Sequence, residues 1–233
     1  HPPAFSPGWS PNSGAEQPAT DEGIELNASY HLNDADMSTA VPLAYASPPT
    51  NPKDGPYGPF QRWSMQGKYP TWPRSVHGKI FFSKPDGRRF VCSGTVINRS
   101  TVATAGHCVA TGAGQFHHSF EFCPSYMQSG PHPAVGCWGV VAASTTPSWF
   151  NSGDLDYDVA CLVTTTTGTV HSNKVGNVTG WVGRAWNFAA VQPLQVFGYP
   201  GAPPFSGRVI QQVATNQWYE FDTSAGGQKS IYS

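Results

Sequence analysis

Two short runs, about fifty residues apart, hold the residue types best suited to chemistry. In Thr104-Ala105-Gly106-His107-Cys108 a histidine follows two small residues and precedes a cysteine. Ala105 and Gly106 let the chain turn sharply and present an imidazole at a cleft, where it could serve as a general base to a group within hydrogen-bonding distance. The structural reading is a histidine at a strand end, satisfied by a backbone carbonyl. In the functional reading, a Cys92–Cys108 bridge would hold the turn against the strand one hairpin earlier. Closing a loop of that length contributes on the order of 3 kcal/mol. The second run, Asp154 to Val163, places Asp154, Asp156 and Asp158 before an apolar strand. Asp154 and Asp156 read as loop acids or calcium ligands, although the Gly and terminal Glu of an EF-hand loop are missing. Asp158 adjoins Val159-Ala160-Cys161-Leu162-Val163, and a carboxylate at the edge of a core needs a partner. An imidazole N–H is such a partner, and the carboxylate would fix its tautomer in return.

The elements that must position these groups are short strands. From about Ser75 the sequence reads VHGKIFF, FVCSGTVIN, HSFEFC, GCWGVVAAS, DVACLVTT, LQVFGYP, RVIQQVA and QWYEFD, β-branched and aromatic segments parted by turn signals. Lys84-Pro85-Asp86-Gly87 predicts a turn joining the first two as a hairpin, Pro presetting φ and Gly taking a positive φ. Thr164 to Thr167 before Gly168 reads as a polar connection between two halves. No stretch of a dozen residues carries a capped 3.6-residue apolar stripe, so the expected class is all-β, a sandwich or barrel.

Composition narrows the function. The chain has 233 residues, 25 Gly, 22 Pro, 13 Lys+Arg and 14 Asp+Glu. A net charge of −1 gives no field to gather phosphates or anionic lipid, so neither nucleic acid nor a membrane is expected as partner. No apolar run nears the ~18 residues needed to span a bilayer. Thirteen of the 22 prolines fall in residues 1–73, which read as an irregular propeptide-like or linker segment. The first residue is His1, consistent with a removed signal peptide or a missing N-terminus. Five cysteines, Cys92, Cys108, Cys123, Cys137 and Cys161, without C-x-x-C spacing, suit an oxidising compartment. The odd count leaves either a buried thiol or a partner beyond this chain. Sequons at Asn27, Asn98 and Asn177 are compatible with secretion. His117-His118 with Cys123 is the one cluster to weigh for a metal, and a Cys123–Cys137 disulfide accounts for it more economically. No metal or other cofactor is therefore expected.

At this point a family resemblance becomes specific. FVCSGTVINRSTVATAGHCV (90–109) followed by DYDVACL (156–162) resembles the chymotrypsin-fold serine endopeptidases, in particular the secreted branch of glutamyl endopeptidases and V8-like proteases. LQVF before GYPG (198–201) is similar to the strand and turn that open that branch's second barrel. The resemblance covers roughly residues 75–232. It implies a double antiparallel β-barrel, the first over 74–165 and an incomplete second over 166–233, with His107 as general base and Asp158 as its orienting carboxylate. It also implies a monomeric secreted enzyme acting on protein or peptide substrates, with a preference for Glu.

The same resemblance requires a nucleophilic Ser after the Asp, in a Gly-x-Ser-Gly-like segment. No such segment occurs. Ser224, in FDTSAGGQKS, is the nearest candidate, but Ala225 stands where Gly belongs; Ser206 fits a surface turn, and Ser230 and Ser233 are close to a chain end. The expectation is a chain that stops short of its nucleophile, with Cys161 or another cysteine paired beyond it. The alternative is a pseudoprotease or binding module of the same fold. A carbohydrate-binding module using the 8 Trp and 9 Tyr as stacking platforms leaves both runs unexplained.

Overall fold

The computed structural model describes residues 4–6, 8, 10–11, 41–42, 61–64, 71–186, 194–201, 205–215, 219–222 and 229–232. In chain order the early strands are β1 (Ala4–Ser6), β2 (Val41–Pro42) and β3 (Gln61–Ser64). There follow β4 (His77–Ser83), β5 (Arg89–Val96), β6 (Thr101–Thr104), β7 (His118–Pro124), β8 (Trp138–Thr145) and β9 (Ala160–Gly168). The last are β10 (Arg184–Trp186), β11 (Leu194–Gly198), β12 (Gln211–Thr215), β13 (Tyr219–Asp222) and β14 (Lys229–Tyr232). Helix is confined to short pieces, among them α1 (Pro147–Ser152) and α2 (Val175–Thr179).

β4 and β5 form the expected hairpin, in register from His77 opposite Thr95 to Ser83 opposite Arg89. Its turn closes through Gly87 N–H to Lys84 O at 2.8 Å, and Gly87 takes a φ of +82°, which glycine adopts without strain. From this hairpin a barrel closes: β4 pairs with β7, β7 with β8, β8 with β9, β9 with β6, and β6 returns to β5, every pair antiparallel. Closure leaves none of the six strands with an open edge.

The interior is built by alternation. Ile80, Phe82, Phe90, Cys92 and Phe122 point inward with Val96, Val102, Leu162 and Trp138. The opposite face of β4 and β5 is buried too. There Phe81, Val91 and Cys123 pack with Tyr126, Tyr199 and Ile210. Burial on both faces is why VHGKIFF shows no clean polar alternation. The second cluster also docks the later chain on the barrel. Tyr199 donates its N–H to Ser93 Oγ at 2.8 Å and its hydroxyl to Tyr126 O at 2.9 Å, while Phe197 stacks on His77 with centroids 4.4 Å apart.

Thr164 to Thr167 are not a connection between halves. They lie within β9, which runs on to Gly168. Thr164 and Thr165 are buried, their hydroxyls donating to Ser100 O and Thr167 O. A β-branched residue whose hydroxyl is satisfied fits a strand interior as well as an apolar one does. Beyond β9, the described residues form a three-stranded sheet, β11–β12–β3, and the pairs β13–β14 and β1–β10. The Pro-rich stretch thus contributes β1, β2 and β3 to sheets completed by later strands.

Leu162 is fully buried in the barrel core. Leu162→Ala is expected to lower stability by about 2–5 kcal/mol, read as a lower urea midpoint. Burial also lowers the pKa of His77 and of His117 from 6.5 to about 4. Between those values the unfolded chain binds protons that the folded chain does not, so stability falls as pH drops from 6.5 toward 4. Thermal melts across that window should show the loss, and His77→Phe, which keeps a ring against Phe197, should make the slope shallower.

Candidate active site

Strand pairing brings the two chemical runs together. β6 and β9 are antiparallel neighbours with Thr104 opposite Ala160. His107 lies just past the end of β6 and Asp158 just before the start of β9, so a separation of 51 residues becomes direct contact at one rim of the barrel. His107 sits in a 3-10 turn, Gly106–Cys108. Asp158 follows a second one, Leu155–Tyr157, which is capped where Asp154 Oδ1 accepts the Asp156 N–H. Asp154 is a capping residue here.

The carboxylate grips His107 twice. Asp158 Oδ1 accepts the backbone N–H of His107 at 2.7 Å, and Oδ2 accepts Nδ1–H, also at 2.7 Å. Partial burial pushes the Asp158 carboxyl pKa up. The hydrogen bonds from the His107 ring and backbone, its charge, and the Gly106 N–H outweigh that and hold it below the ordinary carboxylate value. A carboxylate can only accept, so the proton of a neutral His107 ring resides on Nδ1 and the lone pair on Nε2. That is the tautomer a general base needs.

Several residues fix this pair. Gly106 backs onto Trp149 of α1, so closely that a Cβ there would lie 2.6 Å from Trp149 Cγ. The Trp149 indole N–H donates to Ala110 O at 3.1 Å and the ring meets His107 edge-on. The hydroxyls of Thr145 and Thr146 donate to Val159 O and Tyr157 O, at 2.8 and 2.7 Å, holding the carbonyls on either side of Asp158. Thr146 also caps α1 by accepting Trp149 N–H. The Thr146-Pro147 pair is a helix-start signal that sequence inspection passed over. Nothing in the local sequence marks Trp149 or Thr145, whose roles arise from tertiary contact.

Cys92–Cys108 and Cys123–Cys137 are both disulfides, the first tying the residue after His107 to β5. Cys161 is a half-buried thiol on β9, its pKa raised by burial. The His117, His118 and Cys123 cluster does not assemble. Cys123 is disulfide-bonded, the His117 ring reaches His107 O, and His118 pairs with Ser119. Two other groupings, Cys92 with His107 and Cys108, and Glu121 with Cys123 and Cys137, contain disulfide sulfurs with no thiolate to offer. Ser206 is exposed, beside Gly207 at φ +66°. Ser230 lies in β14, and Ser224 and Ser233 fall outside the described residues.

No protein-family model matches the chain. Over 115 residues it is 29% identical to the glutamyl endopeptidase of Bacillus licheniformis, a match covering 47% of this chain and 33% of that protein. The match thus spans about a third of the length of that curated relative. Among solved structures, the chain is similar to protease Anisep from Arthrobacter nicotinovorans, with 29% identity, a TM-score of 0.59, and coverage of 72% of this chain and 78% of that one. It is also similar to the thermostable serine protease AL20 from an extremophilic microorganism, with 32% identity, a TM-score of 0.56, and coverage of 67% and 76%. With that identity across most of a solved serine protease, and with a closed six-stranded barrel, the chain belongs to the chymotrypsin-fold serine proteases.

Proposed function

We propose that the protein is a secreted, monomeric serine endopeptidase in which His107 is the general base and Asp158 its orienting carboxylate. The observation that carries this reading is the pair of 2.7 Å hydrogen bonds from His107 N–H and Nδ1–H to the two oxygens of Asp158. With Nδ1 so held, Nε2 takes the proton of a serine hydroxyl as its oxygen attacks a peptide carbonyl. The imidazolium that forms faces the Asp158 carboxylate, and its Nε2 proton then passes to the leaving amine. A water deacylates the enzyme by the same steps in reverse order. Secretion is supported by the two disulfides. No helix among the described residues is long and apolar enough to cross a membrane. A preference for Glu rests on the name of the Bacillus relative.

The 233 residues contain no Gly-x-Ser-Gly, and this absence favours a second reading, a binding protein of the same fold that keeps the His–Asp pair without a nucleophile. A fluorophosphonate probe applied to the native full-length protein separates the two. The enzyme is expected to be labelled on one serine, and His107→Ala should abolish labelling. An intact, folded protein that takes up no probe would establish the binding protein instead. Asp158→Asn should lower kcat on a Glu-containing fluorogenic peptide by about 10⁴-fold, because the amide no longer enforces the Nδ1–H tautomer. The same variant reports on acid stability. The lowered Asp158 pKa means the stability this carboxylate contributes is complete above the ordinary carboxylate range and is lost as pH falls through the folded-state value. Asp158→Asn should therefore flatten the melting-temperature profile below about pH 4 while leaving the window between pH 4 and 6.5 sloped.

A further inference from the structure

His117 is a second histidine at the site, with a different environment. Only 4% of it is exposed, and its ring stacks on Phe82 of the barrel core with centroids 4.9 Å apart and planes within 16°. Its backbone N–H donates to Val109 O at 2.8 Å, which seats it directly behind the 3-10 turn of His107. From there Nε2 lies 3.2 Å from the carbonyl oxygen of His107. A carbonyl can only accept, so Nε2 carries the proton. Burial favours the neutral ring, lowering its pKa to about 4, so Nδ1 is the unprotonated nitrogen. That atom is buried and has no hydrogen-bond partner among the described residues. A buried ring with one nitrogen unsatisfied is a cost that a phenyl group would avoid.

The His107 carbonyl explains why the imidazole is kept. The turn around His107 uses Gly106 O for the N–H groups of Val109 and Ala110, each at 2.9 Å. Were the helix to run on, Thr111 N–H would reach His107 O. Instead Thr111 N–H donates to Gln115 O at 2.9 Å as the chain turns away. The last carbonyls of a short helical turn need outside donors. His117 supplies one to the residue on which the proposed chemistry depends.

We propose that His117 is a positioning residue: its Nε2–H holds the backbone carbonyl of His107 while Asp158 holds the backbone N–H, so the base is fixed on both sides of its own Cα. The proposal deepens the endopeptidase reading and rests on it. The side chain of His107 can turn only about bonds whose near end is immobilised at N and C. Releasing the carbonyl lets the turn relax and widens the range of positions open to Nε2. Misplacement of a base on the scale of 1 Å lowers turnover by up to about 100-fold without altering substrate contacts.

The test uses the native full-length protein with His117→Phe, which keeps the stack on Phe82 and loses the donor, and His117→Gln, whose Nε2–H can reach the same carbonyl. Two quantities are read: steady-state kinetics on a peptide substrate, and the low-field proton resonance of His107 Nδ1–H in the wild type and each variant. The Phe variant is expected to fold, keep its KM, lose between about 10-fold and 100-fold in kcat, and show the Nδ1–H signal broadened by solvent exchange. The Gln variant should restore both. An unchanged resonance and kcat in the Phe variant, or a Gln variant no better than Phe, would overturn the proposal. If the Phe variant does not fold, His117→Asn, whose amide is too short to reach the carbonyl, takes its place under the same criteria. Absence of peptidase activity in the wild type would refute the endopeptidase reading alone, because the Nδ1–H resonance still decides whether His117 positions His107.

Discussion

The pairing of β6 with β9 is the constraint on which the site depends. Thr104 lies opposite Ala160, and each candidate site residue, His107 and Asp158, stands within three residues of that pair. Register in a sheet is strict where one face is buried, because a one-residue slip exchanges the faces. Val102 and Leu162, both fully buried, are partners in this pairing. Slipping β9 by one residue would withdraw Leu162 from the core and carry Asp158 away from His107 at the same time. Core packing and the geometry of the candidate site are thus held by the same contacts.

Around that register, the site is built from backbone groups as much as from side chains. Asp158 is partly buried, which disfavours its charge, and the His107 ring and two consecutive N–H groups of the turn more than offset this. The N–H donors are free to do so because they are the first of the turn, which have no partner within it. The carbonyls flanking Asp158 receive the hydroxyls of Thr145 and Thr146, and Gly106 yields the space that Trp149 fills. The 3-10 turn therefore serves as a bed of oriented dipoles around one carboxylate, clamped to β5 by the Cys92–Cys108 bridge.

How much of this was legible in the sequence follows from how local each feature is. The Lys84-Pro-Asp-Gly hairpin, the short strands, the all-β class and the two chemical runs are written in adjacent residues, and inspection finds them. That Asp158 needs a partner such as an imidazole N–H is legible in its own run, but its assignment to His107 came from the family resemblance, since nothing in either run states the register that joins them. The threonine run at 164–167 misled because polarity suggests a loop, whereas here the hydroxyls find carbonyls inside β9. Within residues 1–73 the described strands are β1, β2 and β3. Proline content signals irregular chain, but strands as short as β1, β2 and β3 leave almost no local signature, and their partners lie far along the sequence.

The two histidines show why residue type alone could not assign these roles. The sequence allows His107 to be satisfied by a backbone carbonyl and His117 to bind a metal. The structure gives His117 the carbonyl, and that carbonyl belongs to His107. Environment separates them. The His107 ring retains some exposure at the rim and is hydrogen-bonded to a carboxylate. His117 is pressed against Phe82, where a charge would be costly, and faces an acceptor that needs only a neutral donor. The proposed base and the ring that holds its carbonyl are only ten residues apart in the chain. The difference is made by what surrounds each ring: a carboxylate at the rim of the barrel, and an aromatic core behind it.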